Sequence, residues 1–309
     1  MSTFSTFARL SHFVDPLYRG EQHLIAPGVL ESSDGYILID PGPHRSIHGL
    51  EENLKAAGIY LFEIRHILVT HIHLDHAGGV GHLVAGREDI QVHVHEIGAP
   101  HLIDPSRLLS SARRIYGDEL DAKWGSMRAV PKEQVYALSS GDVLDFGNRT
   151  IEVLYTPGHA KHHVSFVDDY SGYAFVGDVA GQKTTGVSYI LPVTPPPDVD
   201  LEAWFESLQK IERTGVDGLF LTHFGPSEEP KDHLQTIKEK LDTWGEEVRR
   251  TLRDDRPDAS RAEEFLRAKH AEMDALLDEP DRRPYELFGH PEGSWHGLAR
   301  YWRNTNHGD

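Results

Sequence analysis

The chain has 309 residues and a formal net charge of -18 at pH 7, and it contains 28 glycines, 18 prolines and no cysteine. The lack of cysteine excludes disulfides, zinc–thiolate sites and a cysteine nucleophile. The negative charge and the lack of a dense lysine–arginine run argue against a nucleic-acid partner, because such binding depends on cationic contacts with phosphates. We therefore expect a small-molecule substrate.

Predicted strands and helices alternate through the first part of the chain. A strand over 35–40 ends at a Pro-Gly turn, and a helix follows over 48–57. Residues 66–70 (HILVT) form an apolar run typical of a buried strand. Residues 96–135 are less regular and carry helices. The remaining helices are predicted over 76–84 and 201–213, and the remaining strands over 90–94, 143–146, 150–155, 164–167, 173–177 and 218–222.

The pattern changes after Pro226, where apolar residues recur at three- and four-residue steps in two stretches separated near Pro257. This spacing predicts two amphipathic helices. We therefore divide the chain into an α/β core of residues 1–226 and a helical extension of residues 227–309. The first residues lack the basic start and apolar block of a signal peptide, and no apolar run is long enough to span a bilayer. A cytoplasmic protein without a membrane partner is expected.

The stretch THIHLDHAGG (70–79) places four metal-binding side chains close together: His71, His73, Asp75 and His76. Because His71 and His73 are two residues apart, they point to the same side of an extended chain. Imidazole nitrogens and carboxylate oxygens are ligands for zinc, iron and manganese. The sequence therefore predicts a metal site at the end of the strand over 66–70.

Three later segments place similar residues after predicted strands. His159 follows a strand and a Pro-Gly turn, Asp178 ends a strand between glycines, and His223 follows the strand over 218–222. An α/β core assembles a site from side chains at the ends of separate strands. We expect these residues to meet the first cluster.

With these segments, and with ILIDPG around Asp40, the chain resembles the metallo-β-lactamase-fold hydrolase superfamily over about residues 20–226. The resemblance implies an αββα sandwich with the site at one edge of its two sheets, followed here by the helical extension. It is nearest to hydroxyacylglutathione hydrolases (glyoxalase II), lactonases and phosphodiesterases. Relatives of true β-lactamases often carry cysteine where Asp178 stands, so an antibiotic-resistance enzyme is not expected.

The resemblance also implies a role for each side chain. The first divalent metal ion would have three histidine ligands: His71, His73 and His159. The second would have one carboxylate and two histidine ligands: Asp75, His76 and His223. Asp178 would bridge both ions, and Asp40 would orient a ligand without binding metal. Zinc is the favoured metal, with iron and manganese as alternatives.

The resulting functional prediction is hydrolysis of a small ester, thioester or lactone by a hydroxide that bridges two metal ions, with Asp75 and Asp178 as catalytic carboxylates. An iron-dependent oxidoreductase of the same fold, such as a persulfide dioxygenase, is one alternative, because histidine and aspartate also bind iron. A phosphodiesterase or nuclease is another, which the charge balance disfavours. The substrate, the native metal and the oligomeric state stay open, and a homo-oligomer is compatible with the sequence.

Four residues outside the ligand set are candidates for substrate contact. Lys161, His162 and His163 directly follow the His159 segment, and the alternative for them is a solvated loop. Tyr189 follows the Asp178 segment, where a phenol can donate a hydrogen bond to a developing oxyanion. The alternative for Tyr189 is a packed or surface position.

Two further histidine pairs match no ligand of the family. His93 and His95 are expected at the surface near a strand end, and His44 and His48 are expected at the surface after the turn that follows Asp40.

Overall fold

The computed structural model describes residues 3–288 and 291–305, and its centre is a pair of β-sheets packed face to face. The first sheet has its seven strands in chain order: β1 (Phe4–Ala8), β2 (Ser11–Val14), β3 (Gly28–Ser32), β4 (Gly35–Ile39), β5 (Ile64–Val69), β6 (Gln91–His95) and β7 (Val135–Leu138). Strands β1 to β4 pair antiparallel, whereas β4 to β7 pair parallel. The parallel part places several strand ends at one edge of the sheet.

The second sheet has six strands, also in chain order: β8 (Val143–Asp145), β9 (Thr150–Tyr155), β10 (Val164–Asp168), β11 (Tyr173–Phe175), β12 (Gly218–Leu221) and β13 (Gly225–Ser227). Its neighbours pair antiparallel, except for the parallel pair β11 and β12. Helix α7 (Leu201–Thr214) lies in the crossover between these two strands. Asp200 caps this helix through a 3.1 Å hydrogen bond from the Ala203 backbone N–H.

Helices cover the outer faces of both sheets. Six pack on the side of the first sheet: α1 (Ile47–Ala56), α2 (Leu74–Ala77), α3 (Val80–Leu83), α4 (Ala99–Ile103), α5 (Ser106–Tyr116) and α6 (Leu120–Trp124). The second sheet is covered by α7 and four further helices: α8 (Pro230–Thr251), α9 (Asp258–Leu276), α10 (Glu279–Phe288) and α11 (Pro291–Thr305). The predicted αββα sandwich with C-terminal helices is confirmed.

The side-chain alternation of β4 shows how the layers are held together. Ile37 and Ile39 pack between the sheets with Phe166 and Phe175, while Leu38 faces the helices on the other side. This period of two is what a strand buried on both faces requires. The apolar run Ile37–Ile39 therefore lets β4 pack against the second sheet on one face and against the helices on the other.

The helices after residue 226 share a hydrophobic cluster with the second sheet. Trp244 of α8 and Trp295 of α11 belong to the same cluster as Leu219 of β12 and Trp204 of α7. The division at residue 226 stays a prediction, since the two parts are packed together. Within residues 3–288 and 291–305, no helix is long and apolar enough to cross a membrane.

The structure also contains elements that the sequence pattern did not predict. These are strands β1, β2, β3, β7 and β13 and helices α10 and α11. The helix predicted over 76–84 is replaced by the two short helices α2 and α3, which are separated at Gly78 and Gly79. A Cβ atom at Gly79 would lie 2.9 Å from the backbone oxygen of Gly42 and 2.4 Å from Cδ1 of Ile47, so the close approach of the loop after β4 favours glycine there.

Candidate metal centre

The candidate ligands are brought together by the ends of strands from both sheets. His71 follows β5 in the first sheet, while Asp178 and His223 follow β11 and β12 in the second. His159 lies in the loop after β9. Because the two sheets face each other, these four segments converge at one edge of the sandwich.

All seven predicted ligands fall into two groups whose ligand atoms lie within 4.8 Å of one another. The first group contains three histidines: His71, His73 and His159. The second contains two carboxylates and two histidines: Asp75, His76, Asp178 and His223. This grouping agrees with the two metal sites that the resemblance implies.

Asp178 lies between the two groups. Its Oδ2 atom is 3.9 Å from Nε2 of His71 and 3.5 Å from Nε2 of His159. Its Oδ1 atom is 3.2 Å from Nε2 of His76 and 3.5 Å from Nε2 of His223. One carboxylate oxygen therefore faces each group, as a bridging ligand requires.

The other separations are similar. His73 Nδ1 lies 3.0 Å from His71 Nε2 and 2.9 Å from His159 Nε2. In the second group, Asp75 Oδ2 lies 3.4 Å from Nε2 of His76 and 3.3 Å from Nε2 of His223. Ligands of a tetrahedral ion with bonds of about 2.0–2.1 Å are about 3.3 Å apart. Each group therefore has the size of a coordination shell.

Unpartnered polar atoms provide a further test of whether these residues fit a metal ion. Nε2 of His76, Nε2 of His223 and Oδ1 of Asp178 are buried and have no hydrogen-bond partner among the described residues. Buried polar atoms nearly always have a partner, so three such atoms facing one another indicate a cation-binding site. The donor set of imidazole and carboxylate groups fits divalent metals.

The second nitrogen of several imidazoles is held by the surrounding backbone. Nδ1 of His159 donates to the carbonyl oxygen of Val193 at 2.7 Å. Nδ1 of His223 donates to the carbonyl oxygen of Leu24 at 2.6 Å. A proton on Nδ1 leaves Nε2 as the free acceptor, so each bond fixes the tautomer that binds metal.

Asp40 has this orienting role for His76, whose Nδ1 lies 2.8 Å from its Oδ2. The hydroxyls of Thr70 and Thr222 also donate to Oδ2, each at 2.7 Å, and the Thr70 backbone N–H donates to Oδ1 at 2.8 Å. Asp40 has a φ of +48°, which is unusual for a residue other than glycine. Four hydrogen bonds compensate for this strain. The role of the two threonines was not predicted from the sequence, although each directly precedes a candidate ligand, His71 or His223.

The electrostatics of the first group favour neutral imidazoles. Burial lowers the pKa of His73 to about 4, and burial also lowers the pKa values of His71 and His159. Neutral imidazole is the form that binds metal.

In the second group the charges attract a cation. Burial opposes the charged form of His76, but Asp178, Asp75 and Asp40 outweigh it and raise the His76 pKa well above 6.5. Burial likewise opposes ionisation of Asp75 and Asp178, but His76 and His223 outweigh it and lower both pKa values. The carboxylates are therefore ionised at neutral pH, as metal binding requires.

Gly177 leaves room for the residues behind the centre. Its φ is +46°, and a Cβ atom there would lie 2.6 Å from Oγ1 of Thr70 and 2.7 Å from Nε2 of His163. A side chain at this position would displace the threonine that holds Asp40. The glycine before Asp178 is thus required by both conformation and space.

The three residues after the His159 segment lie in different surroundings. Lys161 is exposed and lies 3.5 Å from the Asp198 carboxylate, and the ring of His162 meets the ring of His73 edge-on at 5.6 Å. His163 is fully buried, and its Nδ1 lies 2.9 Å from the Thr156 hydroxyl. Direct substrate contact by His163 is therefore wrong, whereas contact by His162 stays a prediction.

Tyr189 is not at the mouth of the centre. Its side chain is buried in the cluster shared with the C-terminal helices, where it packs edge-on against Tyr285 at 5.4 Å. Lys240 of α8 covers the ring at 3.4 Å. The alternative reading of Tyr189 as a packed tyrosine fits the structure, and the oxyanion role is wrong because the phenol is directed into the helical layer.

The expected surface position of His93 and His95 is also wrong. Both are buried, because the strand that carries them lies inside the first sheet. His95 stacks on Tyr155 at 4.5 Å. His48 is exposed as expected, whereas His44 is only half-buried and stacks on His82 at 3.7 Å.

Aromatic residues that were not predicted from the sequence pack next to the second group. Phe288 lies 4.5 Å from the ring of His223 and 5.8 Å from Trp124. Trp124 in turn stacks on Tyr18 at 5.9 Å and meets Tyr116 edge-on at 5.7 Å. These four residues come from separate parts of the chain, so no local pattern could reveal them.

Comparison with known proteins agrees with this geometry. The model of the metallo-beta-lactamase superfamily matches residues 25–223. The metallo-beta-lactamase fold-containing protein ST1585 of Sulfurisphaera tokodaii is 30% identical over 178 residues, which are 56% of this chain and 62% of that protein. The solved ST1585 structure superposes with a TM-score of 0.61 at 25% identity, covering 76% of this chain and 87% of that one.

Two further relatives have names that state an activity. An atrochrysone carboxyl ACP thioesterase of Aspergillus fumigatus is 32% identical over 182 residues, 58% of this chain and 44% of the relative. A hydroxyacylglutathione hydrolase of Hahella chejuensis is 30% identical over 145 residues, 46% of this chain and 41% of the relative. The matched regions span 41% to 62% of the length of these three curated relatives.

Proposed function

This chain belongs to the metallo-beta-lactamase superfamily, and from that membership we propose that it is a two-metal hydrolase that cleaves a small-molecule thioester. The observation that carries the proposal is the position of Asp178, whose two carboxylate oxygens face two separate groups of ligands. A site for one ion needs no such bridge.

We propose zinc as the native metal. The first group supplies three imidazoles, and the second supplies two imidazoles and the Asp75 carboxylate, with Asp178 shared. Zinc accepts this combination of nitrogen and oxygen ligands. The ionised carboxylates of Asp75 and Asp178 would offset part of the charge of two dications, so the site suits a pair of ions better than one.

When bound, two divalent cations would polarise the attacked carbonyl and lower the pKa of water from 15.7 toward about 7. The chain's own residues orient the ligands and are placed to accept a proton. Asp40 keeps a proton on Nδ1 of His76, so that Nε2 stays directed into the centre. Asp75 is the most exposed member of the second group, with 15% of its side chain accessible. It is therefore placed to accept a proton from a reacting water.

A thioester is the bond that fits the relatives best. Both relatives with a named activity, the thioesterase and the hydroxyacylglutathione hydrolase, act on thioesters. A thiolate is also a good leaving group, so the reaction needs no separate acid to protonate it. Among the residues near the centre, His162 is the best-placed candidate to donate a hydrogen bond to the substrate, because its ring contacts the ring of His73.

The proposal is tested with zinc-loaded protein and a panel of one lactone, one phosphodiester and thioesters of glutathione and pantetheine. Thioester hydrolysis, followed by release of free thiol, is expected to exceed hydrolysis of the other two classes by about 10-fold or more in kcat/KM. The Asp178→Ala variant is expected to lose this activity. Rapid hydrolysis of the phosphodiester or lactone, with no thiol release from any thioester, would overturn the proposal.

A further inference from the structure

A cavity of about 620 Å³ opens between α5, α6 and the loop that follows β4. Its lining includes His44, Arg45, Arg113, Asp121 and Ser126. The volume is in the range of cavities that hold cofactor-sized molecules. None of these residues belongs to the candidate metal centre.

The charged residues that line the cavity are two arginines, Arg45 and Arg113, and one aspartate, Asp121. Helix α5 has three arginines and no carboxylate over residues 106–116, although the whole chain has a net charge of -18. The Arg45 guanidinium bonds the carbonyl oxygen of Asp121 through Nε and Nη2, both at 3.3 Å, which leaves other N–H groups free. Arg113 lies 3.7 Å from the Asp121 carboxylate, and both side chains are well exposed. A pair this open to water is weak, so Arg113 can exchange it for a ligand.

The cavity is connected to the metal centre through the aromatic residues described above. Gly125 and Ser126 line the cavity and directly follow Trp124, which contacts Phe288, which contacts His223. The indole N–H of Trp124 is buried and has no hydrogen-bond partner within the described part of the chain. Buried donors nearly always have a partner, so this N–H, next to the cavity lining in sequence, is one that a bound molecule could satisfy.

A second connection runs along the loop after β4. This loop begins at Asp40, which orients His76, and reaches His44 and Arg45 only four and five residues later. Between them, the backbone N–H of Gly42 donates to the carbonyl oxygen of His76 at 3.1 Å. The cavity and the second ligand group are therefore fixed to the same short segment.

We propose that this cavity binds an anionic group on the thiol carrier of the substrate, with Arg45 and Arg113 as specificity-determining residues. The chain between that anion and the thioester would pass Phe288, which is half-buried and contacts the ring of His223. Guanidinium groups suit this role because they donate paired hydrogen bonds to a phosphate or a carboxylate. The inference rests on the proposed function, because it names the part of the thioester that is recognised. A phosphopantetheine arm would supply a phosphate, and a glutathione-like thiol would supply carboxylates.

The test measures binding without catalysis. Three thioether probes that cannot be hydrolysed are titrated calorimetrically: S-methyl pantetheine, S-methyl 4'-phosphopantetheine and S-methyl glutathione. At least one of the two anionic probes is expected to bind about 10-fold or more tightly than the neutral one, because a charge-assisted hydrogen bond contributes that much. Arg45→Gln and Arg113→Gln are each expected to remove most of this difference.

Arg107→Gln is the matched control, since it removes the same charge from the same helix at an exposed position that does not line the cavity. It is expected to bind all three probes as the unaltered protein does. Tighter binding of the phosphate probe alone identifies a phosphopantetheine-type carrier, and tighter binding of the carboxylate probe alone identifies a peptide thiol.

Two results would overturn the inference. One is equal affinity for the neutral and anionic probes. The other is a loss of affinity for the anionic probes in Arg107→Gln as large as the loss in Arg113→Gln. If thioesters are hydrolysed while the anionic probes bind no more tightly than the neutral one, the proposed function stands and the cavity inference fails. If no thioester is hydrolysed but the anionic probes bind through Arg45 and Arg113, the anion site stands and the proposed function fails.

Discussion

Asp40 accepts a hydrogen bond from His76 across a gap of 36 residues, with Oδ2 lying 2.8 Å from Nδ1. The bond places a carboxylate behind an imidazole whose other nitrogen faces Asp178. It joins the end of β4 to helix α2. The metal-facing geometry of the second ligand group thus depends on a residue that does not itself face the ion.

Asp40→Asn is therefore expected to weaken metal binding at the second group by about 10–100-fold, the usual effect of losing a residue that orients a ligand. Asparagine tolerates the positive φ of this position, so the fold should persist. Competition with a chelating dye measures the affinity. Asp34→Asn is the control, since Asp34 lies 3.0 Å from His66 in a similar carboxylate–histidine pair outside the centre. Unchanged affinity in Asp40→Asn would contradict the orienting role.

Asp178 and Asp75 should differ in how many ions they affect. Asp178 faces both ligand groups, whereas Asp75 belongs to the second group alone. Asp178→Ala is expected to weaken binding of both ions by at least about 10-fold, and Asp75→Ala to weaken only one. A two-site zinc titration separates these outcomes. Loss of a single ion in Asp178→Ala would show that this carboxylate does not bridge.

Gly177→Ala is expected to destabilise the protein by about 1–3 kcal/mol, because the new methyl group would meet Thr70 and His163 at less than 3 Å. Gly58→Ala is the matched control, because Gly58 also has a positive φ, +83°, but nothing lies within 4 Å of its Cβ position. Gly58→Ala should lower the free energy of unfolding by about 1 kcal/mol, from backbone strain alone. Urea denaturation measures both variants. An equal loss of unfolding free energy in Gly177→Ala and Gly58→Ala would mean that the packing behind Asp178 tolerates a side chain.

Histidine 93 should make stability depend on pH. Burial lowers its pKa from 6.5 to about 4, so the unfolded chain takes up a proton before the folded protein does. The contribution of neutral His93 to the free energy of unfolding is complete above about pH 6.5 and is lost as the pH falls toward 4. The total loss is roughly 3 kcal/mol at most.

His93→Phe should reduce this loss, because both ring nitrogens of His93 are without a hydrogen-bond partner among the described residues. The phenyl ring can keep the contacts with Tyr136 and Phe146. Unfolding free energies measured from pH 7 to pH 4 test the change, with His48→Gln as an exposed control. An identical pH profile in His93→Phe and the unaltered protein would refute the assignment.

The ligand set could be predicted from the sequence because each ligand stands next to a strong local signal. His71, Asp178 and His223 all follow apolar runs that form strands, and the chemistry of their side chains restricts what they can bind. The strands β4, β5 and β12 were predictable for the same reason. They are apolar at nearly every position, as strands buried on both faces must be.

The surroundings of the site could not be predicted, because they depend on contacts between distant segments. Phe288 and Trp124 meet only when the end of α10 packs against the helices on the first sheet, and the Arg45–Arg113 cavity is assembled from segments 68 residues apart. The edge strand β13 has only three residues, so its pairing comes from its neighbour rather than from its own composition. Tyr189 shows the opposite error, since its position near Asp178 in sequence does not bring it to the centre in space.

The number and identity of metal ions per chain test whether this protein has a two-metal site. Mass spectrometry on protein purified without chelators or a histidine tag gives both. We predict about two zinc ions per chain, and fewer in the Asp178→Ala variant. About one iron ion per chain with little zinc would contradict this prediction and would favour the oxidoreductase alternative.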